Sequence, residues 1–140
     1  MRVTSPWKCW LLAGLLVFGS CKTSTGPSGG GGGTTFDVNG SWVTTTSLGA
    51  RLTFTVSSMA ISFFTLSQIP GCGSTVFGFS ASAAVTSNAF NYAIPSGNPD
   101  LSGSISGTFS SATAGSGNTT ITFKTGCAGT HNATWSGAKQ

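Results

Sequence analysis

The chain has 140 residues, which is room for one domain plus a leader. Charged side chains make up 6%, against roughly 25% in an average soluble domain, and the only acids are Asp37 and Asp100. The formal charge of +4 includes Arg2 and Lys8 near the N-terminus; Lys22, Arg51, Lys124 and Lys139 against the two Asp leave +2, too thin and scattered for a nucleic-acid-binding face.

Arg2 and Lys8 are followed by an apolar run from about Trp10 to Phe18. As a helix that run covers roughly 15 Å, half of a ~30 Å hydrocarbon core, so it is too short to span a membrane. A positive start and a short apolar segment are the form of a secretory signal. Lys22 to Thr34 is polar, with Pro27 and an unbroken glycine run from Gly29 to Gly33. Such a segment buries too little to fold and reaches roughly 20 Å as a flexible coil. A phosphate-cradling loop would need a preceding strand, a following helix and a Lys with Ser or Thr, and none of these is present. The expected organisation is a signal over residues 1–20, a tether over 21–34 and a β domain over 35–140.

From Thr35 onward apolar residues recur at period two, the signature of half-buried strands. In "RLTFTVS", Leu52, Phe54 and Val56 share one face. "MAISFFTLSQ" alone has a helix-like spacing, but Ile61, Phe63 and Phe64 are better strand formers. It reads as a strand bulged at the Phe pair. Phe77, Phe79, Ala81, Ala83 and Val85 line up next, then Phe90, Tyr92 and Ile94. Leu101, Ile105 and Phe109 alternate with small residues, Ile121 and Phe123 oppose Thr120, Thr122 and Lys124, and Trp135 is the inward anchor of the last strand. Asn39-Gly40, Pro70-Gly71, the Pro95–Pro99 cluster and Gly115–Asn118 supply turn signals. Seven to nine short strands in about 105 residues predict an all-β domain. The expected form is a small antiparallel sandwich, Greek-key or jelly-roll-like, with a small up-and-down barrel as the alternative.

Phe18-Gly19-Ser20-Cys21 resembles the lipobox of bacterial lipoproteins, with Phe18 where that family usually has Leu. The resemblance implies cleavage before Cys21 and lipid on its sulfur. Lys22 stands where Gram-negative lipoproteins held at the inner membrane carry Asp, which implies the outer membrane. Cysteine parity agrees: Cys9 leaves with the leader, and lipid on Cys21 leaves Cys72 and Cys127 as a pair. Ordinary secretion with a free Cys21 is the alternative. The stretch from Ser102 to Gln140 resembles the C-terminal half of small secreted bacterial β domains, through Gly107-Thr108-Phe109, Cys127, Trp135 and Lys139. That likeness implies fold and export, and no activity.

In an exported chain Cys72 and Cys127 are expected to form a disulfide. The rival is a metal site with His131, which resembles the Cys-His loop of blue-copper proteins. That family also needs a second His and usually a later Met, whereas His131 is the only His and no Met follows Met59. No metal or cofactor is expected. No Gly-x-Ser-x-Gly elbow appears, and Asp37 and Asp100 read as turn formers, so the domain is not expected to be an enzyme. Trp42, Tyr92 and Trp135 are candidate ligand-contact aromatics, as in a carbohydrate-binding module. The core reading is preferred because no polar or acidic groups flank them to orient a sugar. Gly40 and Trp42 also resemble the Gly-x-Trp opening of lipocalin-like barrels, which implies an apolar cavity. The expected role is therefore that of an envelope lipoprotein with a structural or binding domain, its partner a glycan or another envelope component.

Overall fold

The structure, a computed structural model, describes residues 34–140. The signal, Cys21 and nearly all of the tether lie outside the described residues. Eight strands follow one another: β1 (Gly40–Thr46), β2 (Arg51–Ser57), β3 (Ala60–Ser67), β4 (Phe77–Ala84), β5 (Ala89–Ile94), β6 (Leu101–Phe109), β7 (Ala114–Phe123) and β8 (Gly129–Lys139). They form one antiparallel sheet in the order β4-β3-β2-β1-β8-β7-β6-β5. Every ladder but one joins neighbours in sequence; the exception pairs β1 with β8, from Trp42↔Lys139 to Thr46↔Trp135. The domain is thus an up-and-down barrel, the second of the two forms expected, without the crossovers of a Greek key.

The barrel is nearly closed. Between β4 and β5 the two strands have no ladder, and only a Thr86↔Ala89 bridge forms beside the turn. Side chains hold this seam instead. The Tyr92 hydroxyl donates to the Ser80 carbonyl at 2.9 Å, and the Tyr92 ring stacks on Phe79.

Alternation explains which residues fill the interior. Leu52, Phe54 and Val56 point inward from β2, Phe90, Tyr92 and Ile94 from β5, and Ile121 and Phe123 from β7. Phe54 sits at the hub, with its ring 5.6 to 6.5 Å from those of Phe64, Phe90, Trp135, Trp42 and Phe109. An eight-stranded barrel is only just wide enough for its own side chains, and these rings occupy that width. Buried hydroxyls are paired: Thr44 donates to the Leu52 carbonyl at 2.8 Å, and Thr119 to that of Ala133 at 3.3 Å. No buried side-chain polar atom among the described residues lacks a partner.

Two glycines make room for the indole of Trp135. Gly107 of β6 pairs with Gly117 of β7, which pairs with Trp135 of β8. The indole lies across both: a Cβ on Gly107 would strike it and come within 2.7 Å of the Phe90 ring, and a Cβ on Gly117 would lie 2.7 Å from Trp135 Cε2 and from the Gly107 Cα. The Trp135 Nε1–H donates to the Ser106 carbonyl at 3.0 Å, which orients the ring over this trough.

The turns sort to two ends. At one end the β2–β3 turn places Ser58 and Met59 at positive φ, and the β4–β5 turn does the same with Ser87 and Asn88. Such two-residue turns match the twist of their flanking strands. Asn88 also receives the entering chain: its Oδ1 accepts from the Phe36 N–H at 2.9 Å, and its Nδ2 donates to the Thr34 carbonyl at 2.6 Å. The opposite end carries the longer β3–β4 loop and the β7–β8 loop.

Gly117→Ala is expected to cost about 3 kcal/mol, the upper part of the overpacking range, because backbone as well as the indole blocks the added carbon. Gly97→Ala, with nothing within 4 Å of the added atom, is expected to stay within about 0.5 kcal/mol of the parent. Denaturant midpoints of the two variants measure the difference.

Candidate functional site

The three aromatics named as ligand contacts face the interior. Trp42, Tyr92 and Trp135 are 0%, 9% and 2% exposed. Each polar tip is satisfied by a main-chain carbonyl: Trp42 Nε1–H donates to Val38 at 2.9 Å, while Tyr92 and Trp135 reach Ser80 and Ser106. They therefore form no surface platform for a sugar. Their positions on the inward row of each strand give the physical reason. Pairing of the two terminal strands, from Trp42↔Lys139 to Thr46↔Trp135, brings the Trp42 and Trp135 segments side by side.

A lipocalin-like cavity has no room either. The interior gap near the loop-bearing end is about 20 Å³, space for roughly one water, and is lined by Leu66, Ile69, Ile121, Phe123 and Ala133 among others.

Cys72 and Cys127 are bonded, with Cα atoms 5.0 Å apart. The bond joins the β3–β4 loop to the β7–β8 loop across the barrel end. Ile69 and Cys72 are buried there, so the loop acts as a cap. Neither sulfur is a thiolate, and His131 sets its ring edge-on to Phe123 at 5.1 Å. No group of three metal-ligating side chains forms among the described residues.

Asp37 and Asp100 are the only carboxylates. Asp37 lies on the entering chain and accepts from the Asn39 backbone N–H at 3.2 Å. Asp100 lies in the β5–β6 loop at the opposite end and accepts from the Thr125 hydroxyl at 3.0 Å. Carboxylates so placed do not flank a common glycosidic bond.

The outer face is where chemistry remains available. It is a coat of small hydroxyl and amide side chains, such as Thr45, Ser116, Asn118, Thr134 and Ser136. These line a shallow groove of about 580 Å³ over β1, β8 and β7. A second groove of about 210 Å³ runs over β1, β2 and β3, between Ser41, Val43, Thr53, Thr55, Thr65 and Phe63. Phe63 is 47% exposed, and the only other large exposed apolar residues among those described are Leu48 and Val76, both in loops.

A β-bulge turns Phe63 outward. Phe54 pairs with Phe64, and Val56 with Ile61, so Thr55 alone faces both Ser62 and Phe63. The extra residue in β3 sends Phe64 into the core and Phe63 to the surface. On the other side β3 pairs Phe63 with Ser80, and the ring lies over Gly78, where a Cβ would come within 2.8 Å of Phe63 Cζ. Sequence reasoning placed a bulge here without drawing its consequence. The signal was the Phe63-Phe64 doublet, since adjacent strand residues face opposite sides.

No family model, curated protein or solved structure matches this chain.

Breaking the crosslink is expected to loosen the cap and the loops behind it. Cys72→Ala and Cys127→Ala are each expected to lose at most about 4 kcal/mol, the chain-entropy value for a 55-residue separation. The melting temperature should fall by the same amount in both, up to about 18 °C. Calorimetry of the oxidised variants, with thiol titration, measures it.

Proposed function

We propose that the protein is a bacterial lipoprotein held in the cell envelope, at the outer membrane, through lipid on Cys21, and that it displays a non-catalytic β barrel for a structural or binding role. The observation that carries this reading is the cysteine pairing. Cys72 and Cys127 satisfy each other. Cys9 belongs to the signal segment, and Cys21 is then left at the site where the sequence resembles a lipobox. A thiol with no partner is out of place in an exported, disulfide-bonded chain, whereas a lipidated cysteine there is not.

The barrel supports the second half of the reading. Its core is filled by its own rings, its two carboxylates lie at opposite ends, and its outer face is nearly uncharged. A carrier of an apolar ligand would need an interior volume hundreds of cubic ångströms larger. A display domain needs only a rigid scaffold and an exposed face, and both are present.

Cys21→Ser is expected to move the protein from the membrane pellet to the soluble fraction. Lipoprotein processing adds several acyl chains, enough for stable anchoring where a single chain binds marginally. Fractionation of cells expressing each form reads this out, and a variant still in the pellet would mean that the anchor lies elsewhere.

A further inference from the structure

We infer that the groove beneath Phe63 is a binding site for a neutral carbohydrate chain, with the Phe63 ring as the stacking surface. The argument starts from the bulge. In phase with Ile61, a regular β3 would point Phe63 inward and Phe64 outward; the inserted residue, which interrupts pairing with β2 between Phe54 and Val56, lets Ile61 and Phe64 both face the core and leaves Phe63 outside. Bulges re-aim side chains. This one aims outward the only exposed aromatic side chain among the described residues.

The surroundings of the ring select the ligand. Ser41, Thr53, Thr55 and Thr65 bring hydroxyls, each able to donate or accept, and Val43 adds one apolar contact. No charged side chain lines the groove. A nucleic acid or an anionic polymer would need cations there. A lipid surface would need more apolar area than one ring and one Val. A peptide strand would need a free sheet edge, and β1, β2 and β3 are each paired on both sides. An uncharged ligand that has both C–H faces and many hydroxyls meets this lining: the C–H face of a sugar ring on Phe63, its hydroxyls on the Ser and Thr side chains. The larger groove over β1, β8 and β7 has the hydroxyls without an exposed ring. It therefore lacks the apolar anchor that gives such sites most of their affinity.

This inference rests on reading the barrel as a binding domain, and it does not depend on the lipid anchor. The test titrates the full chain in detergent with cellohexaose, xylohexaose and chitohexaose by calorimetry. Saturable binding is expected for at least one of them. Phe63→Ala should weaken it about tenfold or more, while Phe63→Trp retains it. Thr55→Glu, which puts a charge at an exposed position of the same groove, should weaken it as well and guards against a folding defect in the alanine variant. The Cys21→Ser chain should bind like the parent, so a failed anchor and a failed sugar site are told apart. Saturable binding to none of the three probes, or parental binding in either Phe63→Ala or Thr55→Glu, would overturn the site. Recovery of shortened sugars would overturn the non-catalytic reading alone.

Discussion

The indole of Trp135 lying across Gly117 and Gly107 is the contact on which the rest of the barrel depends. Three consecutive strands, β6, β7 and β8, meet at this row, and their spacing is set by backbone rather than by side chains. The ring reaches Phe90, at the far end of the same row on β5, and Phe54 on β2, which belongs to the other half of the barrel. A single side chain thereby couples the C-terminal strands to the N-terminal ones across the interior. Interiors are packed like molecular crystals, so the trough has no slack for an added carbon.

Closure follows from the same packing. The ladder between β1 and β8 joins the two ends of the domain, while the β4–β5 seam is closed by Tyr92 and Phe79 instead of by backbone pairing. The aromatic core thus substitutes for a missing ladder. The disulfide acts at a different place. It ties two loops over one barrel end, where Gly-rich, weakly charged segments would otherwise specify their position poorly. Rings hold the walls and the crosslink holds the lid, and these are independent constraints on a domain small enough to need both.

The strands were legible in the sequence because period-two alternation is a local property. Leu52, Phe54 and Val56 point inward for the same reason in a barrel or a sandwich. That shared reason is also why the choice between the two forms was not legible: it depends on β1 meeting β8, a contact between residues about a hundred positions apart. The glycines of β6 and β7 looked like gaps in the alternation. Only the three-dimensional row shows that Gly107 and Gly117 are the complement of Trp135. The candidate site was half legible. The bulge could be read from Phe63-Phe64, but the eye goes to Trp and Tyr as sugar-binding rings, and Trp42, Tyr92 and Trp135 are spent on the core. What makes Phe63 available is that the extra residue leaves it no inward position.

A filled interior sends any recognition to the outside of the barrel, and that is the central claim. A hydroxyl-coated, nearly uncharged exterior suits uncharged polar partners, and Phe63, the only exposed aromatic side chain among the described residues, supplies an apolar contact on it. The most direct measurement is a titration of the Cys21→Ser chain, which carries no acyl groups of its own if Cys21 is the lipid site, with an intrinsically fluorescent polyene fatty acid. The account predicts no saturable rise in ligand emission, because the interior gap of about 20 Å³ admits no acyl chain. One equivalent bound tightly, with emission typical of an apolar enclosure, would contradict it and return the barrel to the carriers of apolar ligands.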